Sequence, residues 1–81
     1  MQATRTMHRV ELAVDGHGIY HVGDYDSLDE AREAAQQAAD EGEGGMSGPV
    51  FGPHTEGPSE TVNPADESVT TRYAEVITIG D

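Results

Sequence analysis

The sequence predicts an α+β fold of order β-β-α-β: a three-stranded, mainly antiparallel sheet in the order 3-1-2, with one helix packed on one face. Three observations carry this. Apolar residues alternate with period two from Met7 onward, the mark of a strand with one covered face. A capped, alanine-striped segment follows from Ser27 to Gly42. A second alternating run ends at Ile79. The chain has 81 residues, enough for one small domain. Residues 1–6 read as a flexible tail and 7–81 as the domain.

In the first strand Val10, Leu12 and Val14 share one face, and Arg9, Glu11 and Ala13 the other. "DGHG" is a turn signal, and "IYHVGDY" is a second short strand. Loop length sets the faces of that strand. A three-residue loop, Gly16-His17-Gly18 with Gly18 left-handed, is a common hairpin connection. It places Tyr20 and Val22 beside Val10, Leu12 and Val14. A two- or four-residue loop would exchange the faces and put Ile19 and His21 in the core. The first register is preferred because it buries Tyr20 and Val22.

"SLDEAREAAQQAADEG" is the clearest element. Ser27 and Glu30 form an S-x-x-E capping box. Asp29, Glu30 and Glu33 suit the positive helix N-terminus. Leu28, Ala31, Ala35, Ala38 and Ala39 form the inner stripe. Small alanines let the helix lie close to a sheet but bury little area. Asp40 and Glu41 stand at the unfavourable end of the dipole, and Gly42 stops the helix.

Residues 42–67 hold six Gly and all four Pro, and read as one long loop, a length unusual inside a compact domain. Val50 and Phe51 are its substantial apolar pair. They would pin the loop to the core or add a short edge strand. The last strand spans about Ser68 to Ile79. Tyr73, Ile77 and Ile79 fall on one face, Ala74 and Val76 on the other. Both faces are partly apolar, as in a central or doubly covered strand. The right-handed crossover rule sets this strand parallel to the second, most simply beside the first. The helix then covers one sheet face. The other, with Ala13, Ala74 and Val76, wants a cover, and a second copy of the chain is the simplest.

Sixteen Asp and Glu face four basic residues, all Arg, for a net charge of −12. Such a surface repels itself, and at about 1 M salt the screening length falls to roughly 3 Å. Abundant acids, Arg without Lys, and no Cys resemble the composition of proteins from salt-accumulating haloarchaea. That resemblance covers composition alone. It implies a KCl-rich cytosol and says nothing of activity. "MQATRTMHRV" has no apolar stretch for a signal peptide. No segment approaches the roughly 20 apolar residues of a membrane helix. A cytoplasmic protein with no membrane association is expected. Without Cys there is neither disulfide nor thiolate chemistry.

His17 and His21 are the candidate metal ligands. At i and i+4 on a helix they would share a face, but Gly16 and Gly18 flank His17. On a strand, residues four apart are separated by about 13 Å, too far to share one ion at about 2 Å per bond unless the turn bends them together. Asp24, Asp26 and Asp29 miss the calcium-loop pattern, since Leu28 holds the third ligand position and no Gly follows. "GEGGMSG" lacks the Lys and the preceding strand of a phosphate loop. No spacing of nucleophile, base and acid supports an enzyme, and no cofactor is implied. Arg9 and Arg72, set on adjacent strands away from the helix, make a weak basic patch, so nucleic acid is not the expected partner.

Two local stretches resemble known families. "GIYHVGDYDSLDEAREAAQQAADEG" looks like one strand–helix unit of a SPOR repeat, with "TRYAEVITIG" standing for its later strand. The first half also looks like the HicB antitoxin group, with its D-G hairpin and "sleEA"-type helix start. The chain departs from the first in lacking a clear second helix. It departs from the second in lacking the proline-containing segment between hairpin and helix. SPOR domains bind peptidoglycan, and no functional residue carries across from either family.

The expected function is a non-enzymatic interaction module. It would form a homodimer, or dock on a protein partner, through the sheet face away from the helix. The carriers would be Ala13, His21, Ala74 and Val76, with Arg9 and Arg72 at the rim. The alternatives are a small-molecule or metal-binding protein using His8, His17, His21 and His54, and a regulatory nucleic-acid-associated protein.

Overall fold

Two eight-residue strands, β1 (Met7–Val14) and β2 (Gly18–Tyr25), form a hairpin. They lead into helix α1 (Leu28–Glu41). The computed structural model describes residues 6–42, 49–50 and 57–80. A two-residue strand β3 (Pro49–Val50), a four-residue strand β4 (Ser59–Val62) and the final strand β5 (Arg72–Ile79) complete it. All strands join one sheet in the order β3-β2-β1-β5-β4, and every neighbouring pair is antiparallel.

The α+β class, the single described helix and the placement of the last strand beside the first follow the sequence reading. The strand count does not. Four strands of four or more residues stand where three were expected, because β4 falls inside the stretch read as one loop. Its sequence, SETV, holds one apolar residue between Pro58 and Pro64, too little for a period-two signal. Tertiary pairing makes it a strand. Glu60 pairs with Val76 and Val62 with Ala74, and Val62 packs against the core. Val50 does enter an edge strand, opposite Ile19. Phe51 lies outside the described residues.

The hairpin loop has three residues, but they are Asp15-Gly16-His17 rather than 16–18. Val14 pairs with Gly18, and the His17 N–H donates to the Val14 carbonyl at 3.0 Å. Gly16 and Gly18 both take positive φ, 77° and 103°, which glycine adopts without steric cost. Leu12 lies opposite Tyr20, so the expected faces hold. A β-bulge between Val10 and Glu11 in the register then shifts the pairing, and Val10 meets Gly23 while Arg9 meets Asp24. The extra residue lets Tyr20, Val22 and Tyr25 all pack on the helix side. Gly23 suits the bulge because the Tyr25 ring lies over it; a Cβ there would stand 3.0 Å from the Tyr25 Oη.

The helix behaves as its sequence predicts. Ser27 is the N-cap, and its Oγ accepts from the Glu30 N–H. Ala31, Ala35, Ala38 and Ala39 are buried, with Leu28 packed beside them. Gly42 ends the helix at φ 83°, and its N–H donates to the Ala38 carbonyl at 2.8 Å. The core beneath is Val10, Leu12, Ala74 and Val76.

That core corrects the faces of the last strand. Tyr73, Ile77 and Ile79 were expected to lie together on the covered face, with Ala74 and Val76 outside. In the structure Ala74 and Val76 are 0% and 1% exposed beneath α1. Leu12 faces Ala74 and Val10 faces Val76 across the β1–β5 pair. The assignment by bulk failed because register with β1, not side-chain size, decides the face: the layer beneath α1 also holds Leu12, Val10 and Val76. The strand is also shorter than read. Residues 66–69 form a turn, in which the Val69 N–H donates to the Asp66 carbonyl at 3.0 Å and Asp66 Oδ1 accepts from both the Ser68 N–H and Oγ–H, at 3.0 and 2.7 Å.

Candidate interaction surface on the sheet

The sheet face away from α1 is built by the other parity of β1, β2 and β5. Cross-strand pairing arranges it in rows. Ile19, Ala13 and Tyr73 lie side by side across three strands. His21, Glu11, Glu75 and Thr61 form the next row. Asp24, Arg9, Ile77 and Ser59 form the third, and Met7 pairs with Ile79 beyond it. Directly opposed residues on one face have Cβ atoms about 4.5–5.5 Å apart, so each row is a continuous surface.

This face is not uniform. Ile77 and Glu11, near its centre, are 0% and 4% exposed. Ile19, Ala13 and Tyr73, toward the hairpin end, are half-buried. Met7 and Ile79 at the other end are also half-buried. The accessible apolar parts are therefore the Ile19–Ala13–Tyr73 row and the Met7–Ile79 pair, with polar residues at the rim.

The rim has a defined geometry. Arg9 Nε donates to Asp24 Oδ1 at 2.9 Å, and its Nη2 to Asp24 Oδ2 at 3.4 Å. The two-point contact suits a planar guanidinium against a carboxylate. His21 Nε2 stands 3.2 Å from the same Asp24 Oδ1. The Arg9 hydrogen bond is the main cause that holds the Asp24 carboxyl below its ordinary value; partial burial opposes it and His21 adds to it. The bulge makes this cluster possible, since it brings Asp24 opposite Arg9 on the outer face. From the sequence alone Asp24 appears only as a residue leading into the helix cap.

Of the six residues assigned to the surface, Arg9, Ala13 and His21 lie on this face. Ala74 and Val76 do not, being buried on the helix side. Arg72 does not either. It opens β5 opposite Val14, on the helix side. Its Nε donates to the Ala39 carbonyl at 2.6 Å and its Nη2 to the Asp40 carbonyl at 2.7 Å. The residues missed are Ile19 and Tyr73. Ile19 was already outward in the preferred hairpin register, whereas Tyr73 required the correct parity of β5.

The histidines are dispersed. His17 is exposed in the hairpin turn, and His21 is held by Asp24. His8 Nδ1 stands 3.3 Å from Thr78 Oγ1 at the far end of the sheet. His54 lies outside the described residues. Among the described residues no group of three or more His, Asp or Glu is placed to hold a metal ion. No described helix is long and apolar enough to cross a membrane.

These features define a small α+β protein with one described helix on an antiparallel sheet and a mixed apolar–polar surface on the sheet's other side. Comparison with protein-family models, with curated proteins and with solved structures finds no match.

Proposed function

We propose that this chain is a non-enzymatic interaction module that self-associates through the sheet face away from the helix, in a salt-rich cytosol. The observation that carries the reading is the Ile19–Ala13–Tyr73 row, half-buried apolar side chains on three adjacent strands. The exposed side of α1, by contrast, carries Asp29, Glu30, Glu33, Asp40 and Glu41. An apolar row beside a hydrogen-bonded Arg9–Asp24–His21 rim resembles the make-up of small protein interfaces, which have an apolar centre and a polar border. The charge of −12 supports the salt-rich setting. Two such chains repel at low ionic strength and are screened within a few ångströms at about 1 M salt.

The test is sedimentation in molar KCl of Tyr73→Asp, with Glu33→Gln on the exposed helix face as control. Tyr73→Asp is expected to sediment at lower mass than the unsubstituted chain, and Glu33→Gln to match that chain. Equal mass for all three chains would overturn the proposal.

A further inference from the structure

We draw no further inference here: the strongest candidate, the cleft of about 610 Å³ between the β4–β5 connection and the start of β5, carries nothing because Arg72, the cation lining it, is already committed to the helix-end carbonyls of Ala39 and Asp40.

Discussion

Arg72 caps a helix that ends at Glu41: its Nε donates at 2.6 Å to the carbonyl of Ala39, 33 residues earlier. The last turn of α1 contains no basic residue, and its final carbonyls lack intrahelical donors. A cation at that end is favoured by the helix dipole, and Arg72 supplies it from the next element of the core. Asp40, at the unfavourable end of the dipole, has its own structural role. Its Oδ1 accepts from the Ala65 N–H at 2.8 Å and from Gln36 Nε2 at 3.0 Å. Gln36 also reaches the Asn63 carbonyl, so the helix end anchors the segment that follows β4.

Replacing Arg72 therefore weakens the fold rather than a binding surface. Arg72→Ala is expected to cost about 1.5–3 kcal/mol, the range for hydrogen bonds to a charged group. Arg72→Lys keeps the charge but loses the planar fork, and should fall between. Urea unfolding of both variants checks the order. Equal stability of Arg72→Ala and the unsubstituted chain would remove the capping role.

The corrected parity of β5 separates Val76 from Tyr73. Val76→Asp places an unpaired carboxylate in a site 1% exposed, and should cost on the order of 3–5 kcal/mol, enough to unfold a small domain. Tyr73→Asp, at a half-buried outer position, should leave a cooperative fold. Circular dichroism in molar KCl distinguishes them. A folded Val76→Asp would reverse the assignment of faces.

Gly57 is a backbone requirement. Its φ is 146°, and a Cβ there would meet the Thr78 carbonyl oxygen at 2.8 Å, where the Thr78 N–H already donates to the Pro58 carbonyl. Gly57→Ala is expected to destabilise by about 1–3 kcal/mol. Native-state amide exchange should show the loss first at Thr78. Unchanged protection at that amide would contradict the assigned contact.

Asp24 links the outer rim to pH. Its folded-state value is lowered, chiefly by the Arg9 hydrogen bond. A lowered carboxyl stabilises the fold above its unfolded value near 3.9, and that contribution is lost as pH falls through the folded value. The side chain is 33% exposed, so screening keeps the effect small. Arg9→Gln should move the Asp24 titration upward, read by carboxyl NMR. Asp66, lowered by its bonds from Ser68, should not move. An unmoved Asp24 would show that Arg9 is not the cause.

Local signals made much of the fold legible. The S-x-x-E start, the alanine stripe and Gly42 specify α1 within its own sequence. The D-G turn and the alternation of Val10, Leu12 and Val14 specify the hairpin. What stayed hidden depends on tertiary fit. β4 carries one apolar side chain and exists because β5 pairs with it. The faces of β5 are both apolar, so period two gives the strand but not its parity. Pairing with β1, which sets Ala74 opposite Leu12 and Val76 opposite Val10, decides that parity. Half of the surface assignment followed it in the wrong direction. Arg9, Ala13 and His21 lie on the expected face because the hairpin alone determines it.

The proposed self-association through the Ile19–Ala13–Tyr73 row would make the mass in solution depend on concentration. Light scattering of freshly purified protein in molar KCl, over a range of concentrations, tests it most directly. The mass is expected to rise to twice that of the 8.6 kDa chain. A mass that stays at 8.6 kDa at every concentration would contradict it.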